Sequence, residues 1–235
     1  MDLSFRLDRA RADGERIIEL AAANLDTSVP GCPEWDGRGL LSHVGRVWHM
    51  LALFAENQPT GFPERHEFPE RVDGGELDAA RTALHRVDAA MRALAPQVPM
   101  WSWGTTQSSD YFHRRYHLEN LVHRVDAEGM AGVESEIDGD EAADAVDERL
   151  TEFAVIARDR PAGSLHVHRT DGEGEWTVRV EGDAIVATHE HAKGDAAARG
   201  TGAQLMLAIW GRLPVDQLET FGDIDLIQEW FELAR

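Results

Sequence analysis

Three residues of this chain, His43, Glu119 and His123, are of the types that hold a divalent transition metal. Glu119 and His123 lie four positions apart, so on a helix, at about 100° per residue, their side chains point within about 40° of each other. One face then offers a carboxylate oxygen and an imidazole nitrogen to a single ion. His43 is the best third donor, because it sits among Leu40, Val44 and Val47, where an unpartnered imidazole carries a desolvation cost. Such a set suits Zn²⁺ or another divalent transition ion and leaves at least one coordination position open, as catalytic sites do. Spacing alone leaves the plainer alternative open, since a Glu-x-x-x-His pair is also an ordinary surface contact and a lone helical histidine is commonly packing. Asp126, three residues past His123, falls close enough to the same face to support the ligands from behind. Arg114 and Arg115 read equally as anion-steering groups and as a solvated face.

Positioning these residues requires helices, and the apolar spacing supplies them. Phe5 to Leu25 recur at helical intervals, predicting a first helix that ends near Asn24, where TSVPGCPEWDG interrupts it. Asp36 reads as the N-cap of a second helix running to Asn57 and carrying His43. Residues 58–75, polar with proline and glycine, read as a long loop and a candidate lid. LDAARTALHRVDAAMRAL predicts a third, amphipathic helix. Asp110 caps a fourth through about Glu128, carrying Glu119 and His123, and Asp138 or Asp140 opens a fifth reaching about Arg158. Residues 1–158 are therefore expected to form a helical bundle.

Past Pro161 the period changes to two. SLHVHRT and EWTVRVE flank the turn sequence DGEGE as a hairpin, AIVATHE adds a third strand, and Thr201–Trp210 and Asp223–Leu233 read as short helices. Residues 161–235 are thus expected to be a small α+β domain. His166/His168 and His189/His191 alternate on these strands, each pair on one side of the sheet. A second metal site is open there, with exposed strand positions the simpler account.

At 235 residues, 43% of them apolar, the chain can bury a substantial core. A formal charge of −20 argues against nucleic acid or an anionic membrane as partner. No apolar stretch approaches a membrane span, and MDLSFRLDRARADGERI lacks the apolar core of a signal peptide. A soluble, cytoplasmic monomer or homodimer is expected. Cys32 is the single cysteine, and its CPEW context reads as a structural corner, so a reacting thiol must come from outside.

Two segments carry a family resemblance. CPEWDGRGLLSHVGRVWHM (32–50) and WSWGTTQSSDYFHRRYHLENLVHRVDAEGMAG (101–132) resemble the signatures of the mycothiol-dependent maleylpyruvate isomerase family, within the DinB-like superfamily of metal-binding bundles. GEWTVRVE and RGTGAQLMLAIWGR (199–212) look like that family's C-terminal module. The resemblance implies a mainly α fold, a DinB-like up-down four-helix bundle followed by a small α+β domain. It places the metal ligands on His43, Glu119 and His123, and matches Arg212 to an arginine that the family carries near its cleft. The sequence departs from the family at Leu118, where the family commonly has histidine; His117 lies one residue earlier.

The resemblance also implies mycothiol as thiol cosubstrate. A three-ligand Zn²⁺ with an open position activates an incoming thiol as thiolate for attack on an electrophile, an unsaturated acid for an isomerase or another acceptor for a transferase. Arg212 is suited to bind a substrate carboxylate, though an arginine at a helix C-terminus also complements the dipole. Trp35, Trp101 and Trp103 offer an apolar rim for thiol or substrate, with core packing the alternative. A hydrolase using the ion to activate water and a non-catalytic ligand-binding protein are the competing classes.

Overall fold

Leu7, Ala10, Ile17, Ile18 and Ala21 form one buried stripe, which makes Leu3–Ala23 a packed helix, α1. The computed structural model describes residues 1–61 and 75–233 and divides the chain into two units, Met1–Ser135 and Glu136–Arg235. In the first, α1 is followed by a short antiparallel hairpin, β1 (Ser28–Val29) and β2 (Cys32–Asp36), where sequence reading expected only an interruption. Asp36 caps α2 (Gly37–Asn57) as expected, its Oδ1 accepting from the Gly39 N–H at 2.8 Å. The expected loop and lid fall largely on residues 62–74, outside the described residues. Helix α3 (Glu76–Ala93) and α4 (Ser109–Met130) complete the bundle.

The cap of α4 differs from expectation. Ser108 occupies the N-cap, while Asp110 sits in the first turn, where its negative charge suits the helix dipole and its Oδ1 accepts from the Gln97 N–H at 3.0 Å. Helix α4 is buried on nearly every side, polar residues included. Its rotation is fixed by one amide: Asn120 Oδ1 accepts from the Trp48 indole of α2 at 2.6 Å, and its Nδ2 donates to the Ala10 carbonyl of α1 at 2.6 Å. Buried and fully paired, such a group admits few alternative registers. It holds the neighbouring Glu119 and His123 toward α2.

In the second unit, Asp138 caps α5 (Gly139–Glu148) by accepting from the Asp140 and Glu141 N–H groups. The helix continues through a π turn, Arg149–Phe153, and a 3₁₀ turn, Ala154–Ile156. It was expected to belong to a bundle ending at 158. The contacts divide the chain earlier because α5 is tied to the sheet: Asp140 accepts from Arg169 at 2.6 Å and Asp147 from the Trp176 indole at 2.9 Å.

The sheet has the order β5-β4-β3-β6-β7, comprising β3 (Leu165–Arg169), β4 (Glu175–Glu181), β5 (Ala184–Thr188), β6 (Ala196–Gly200) and β7 (Glu219–Phe221). Only the β3/β6 pair is parallel. Strands β6 and β7 were not foreseen, since AAARG and ETF are short and the first is poor in β-branched residues. Leu165, Val167, Trp176 and Val178 line one buried face, and alternation sends His166, His168, Glu175 and Thr177 to the other. Helices α6 (Gly202–Ile209), opened by a Thr201/Gln204 capping box, and α7 (Ile224–Leu233) complete the unit. Among the described residues no helix is long and apolar enough to cross a membrane.

Candidate metal centre

The bundle brings the three expected residues to one point. His43 Nε2 and His123 Nε2 each lie 3.1 Å from Glu119 Oε1, and the three candidate ligand atoms are all within 4.8 Å of one another. Ligands of a tetrahedral Zn²⁺ at its usual bond lengths are about 3.3 Å apart, so two of the three separations already match. Glu119 and His123 are buried, while His43 keeps 31% of its side chain exposed and so forms the solvent-facing edge. The donor set and its convergence fit a divalent transition ion.

Two further residues of α4 complete the face. Asp126 Oδ2 lies 2.9 Å from His123 Nδ1, which fixes the imidazole's orientation and leaves Nε2 aimed at Glu119. Arg115 Nη2 donates to Glu119 Oε2 at 2.6 Å. The sequence leaves Arg115 as an anion-steering group or part of a solvated face, but its side chain is only 5% exposed and pairs with Glu119. The Arg-x-x-x-Glu spacing, the same i,i+4 relation as Glu119 and His123, was the available signal.

The electrostatics follow from these contacts. Burial on its own would raise the Glu119 pKa, but the Arg115 guanidinium and the His123 and His43 imidazoles outweigh it and hold the carboxyl well below its usual range. Burial likewise disfavours the His123 imidazolium, yet Glu119 and Asp126 raise its pKa to about 9. Near neutral pH the ring therefore holds both protons, Nδ1–H toward Asp126 and Nε2–H toward Glu119. An ion held through His123 Nε2 would have to displace that proton.

The tryptophans separate. Trp35 packs on the centre, its ring centroid 4.6 Å from that of His43 and 5.9 Å from that of His123. A cavity of about 710 Å³ adjoins Trp35 and His43, walled also by Glu34, Arg38 and Arg46. Trp101 and Trp103 are not among its lining residues; Trp101 stacks on Phe54, and Trp103 meets Phe54, Tyr111 and Phe112 edge-on. Phe112 precedes Glu119 by seven residues, about 10 Å along the helix, so this aromatic cluster is packing away from the centre. Leu118 is fully buried, and His117 turns toward α1, 3.5 Å from Arg6 and edge-on to Phe5, so it does not replace the family's histidine at the centre. In the second unit Arg212 follows α6 and donates from Nη1 to the Trp210 carbonyl at 2.6 Å.

Residues 7–128 match the model of the mycothiol maleylpyruvate isomerase N-terminal domain, and residues 140–229 that of the MDMPI C-terminal domain. The chain belongs to the mycothiol maleylpyruvate isomerase family. Two solved structures share its fold, both of the mycothiol-dependent maleylpyruvate isomerase, one of them a histidine-to-alanine variant. Each is 14% identical over 95% of both chains, with TM-scores of 0.63 and, for the variant, 0.64. No curated protein sequence matches this family member. The second domain match begins at residue 140, beside the division of the contacts.

Proposed function

We propose that this chain is a mycothiol-dependent isomerase whose bundle holds one divalent ion, best fitted by Zn²⁺, on His43, Glu119 and His123. The observation that carries the reading is the meeting of two imidazole nitrogens at one carboxylate oxygen, 3.1 Å from each, in a member of this family. Bound there, the ion supplies the positive charge that lowers a thiol's pKa toward neutrality.

The chain's own residues supply the rest. Arg115 keeps Glu119 ionised and pointed at the centre, and Asp126 holds His123 in the orientation that presents Nε2. The Trp35 ring walls the centre beside both histidines. Arg46 lines the adjoining cavity, where it can meet an acidic group of the substrate or the thiol, while Arg38 there is paired with Asp26 at 3.1 Å. Arg212 is assigned to a substrate carboxylate on its correspondence to the family alone. In the isomerisation of maleylpyruvate, thiolate sulfur bonds to one carbon of the conjugated double bond, whose π electrons move into the adjoining carbonyl. After rotation about the resulting single bond, the electrons return from the carbonyl oxygen, re-form the double bond and expel the thiolate. Thiol transfer to another electrophile starts from the same thiolate.

The test is the ion content of the wild type and of His43→Ala, Glu119→Ala and His123→Ala variants, followed by maleylpyruvate isomerisation with and without mycothiol. Thiol-dependent turnover that disappears with the ion supports the proposal. Turnover without thiol indicates a water-activating hydrolase, and ion binding without turnover a ligand-binding protein.

A further inference from the structure

The C-terminal sheet carries a second cluster of ligating side chains. His166 and His168 alternate on β3 and so share a face, and the β3/β4 register sets Glu175 directly across from His168. His191 arrives from the segment after β5, its Nδ1 2.9 Å from Glu175 Oε1, and its ring meets that of His166 edge-on at 5.1 Å. His168 Nδ1 is also hydrogen-bonded to Glu175 Oε1. The paired arrangement expected for His189 and His191 does not form: strand β5 ends at Thr188, and His189 is instead bonded to Asp147.

Hydrogen bonding to Glu175 accounts for only part of this cluster. His166 is 8% exposed, against the exposed strand position expected of it. Its Nε2 is buried with no hydrogen-bond partner among the described residues, 4.0 Å from Glu175 Oε1. An orphaned nitrogen of this kind costs about 1–3 kcal/mol unless something satisfies it. The four candidate ligand atoms lie within 4.8 Å of one another, near the roughly 3.3 Å spacing around a tetrahedral Zn²⁺. Arg199, the cross-strand neighbour of His168, turns its guanidinium to Glu219 at 3.0 Å.

We infer that His166, His168, Glu175 and His191 form a second divalent-metal site, of the Zn²⁺ class, on the polar face of the C-terminal sheet. Three imidazoles and a carboxylate fill a tetrahedral shell and leave no open position, so this ion is structural. It ties the β3/β4 hairpin to the segment that leads from β5 to β6. The site shares no residue with the bundle centre, so the two stand or fall separately.

The test strips the full-length chain with a chelator, re-equilibrates it with Zn²⁺, removes loosely held ion by gel filtration and counts what remains. The wild type is expected to hold about two ions per chain and the His168→Ala/His191→Ala variant about one, with thiol-dependent turnover unchanged and a lower Tm in Zn²⁺. Both side chains face solvent, at 28% and 76% exposure, so the variant keeps the packing around His166. His43→Ala should keep the sheet ion. Equal ion counts in the double variant and the wild type overturn the inference. So does a wild type holding a single ion that His43→Ala removes, whereas a single ion lost only in the double variant sustains the inference and defeats the bundle proposal.

Discussion

In the bundle, Glu119 receives two imidazoles and is backed by Arg115, while Asp126 holds the far nitrogen of His123. On the sheet, Glu175 gathers three imidazoles, and among the described residues no arginine or second carboxylate orients them. On the two proposals, the clusters put the same ligand types to different ends. Three ligands on packed helices, with their orientation enforced from behind, suit an ion that must present an open position to a reactant. Four ligands on a hairpin and a connecting segment close the shell, which suits an ion that holds chain together.

The contrast breaks most decisively at the carboxylates. Glu119→Gln is expected to reduce thiol-dependent turnover to background, whereas Glu175→Gln should leave it at the wild-type level; steady-state rates of the two variants decide this, and loss in both would merge the sites functionally. Next in size is Arg115→Met. Removing one partner of a buried ion pair costs about 3 kcal/mol or more, so metal-stripped Arg115→Met should unfold at clearly lower denaturant than the stripped wild type. An unchanged midpoint would show that the two imidazoles alone compensate Glu119. Asp126→Asn should then lower Zn²⁺ affinity or turnover about 10- to 100-fold with the fold intact, measured by chelator competition. No change would mean that helix packing already orients His123.

The last effect, about tenfold for each pH unit, is the most specific. Because an ion must displace a proton that His123 holds up to about pH 9, affinity at the bundle centre should rise about tenfold per pH unit from neutrality and level off near that value. The sign follows from the raised pKa: below it the proton competes, above it none remains. A flat Zn²⁺ affinity between pH 7 and 9 would remove this competition from the account.

Much of the bundle was legible in the sequence, because its signals are local. The 3.6-residue spacing of Leu40, Val44, Trp48 and Leu51 marked α2, Asp36 its start, and the four-residue step from Glu119 to His123 put two donors on one face of α4. The same step from Arg115 to Glu119 was equally present but went unread as a pair, since nothing local shows that the N-terminal half of α4 is buried. Strands β6 and β7 escaped because residues such as Ala196–Gly200 become a strand only when a neighbour pairs with them.

The sequence by itself determined which residues can ligate a metal and which of them share a helix face or a strand face, since periodicity follows from backbone geometry. Only the tertiary structure decided which of these meet. Asn120, bonded to both α1 and α2, turns Glu119 and His123 toward His43, 76 residues away from Glu119 in the chain. Packing alone drew Trp35 to the centre while leaving Trp101 and Trp103 among Phe54 and its neighbours, and strand register with the path after β5 separated His191 from His189 and delivered it to Glu175. Such meetings depend on how distant surfaces close on one another, and no local repeat encodes that.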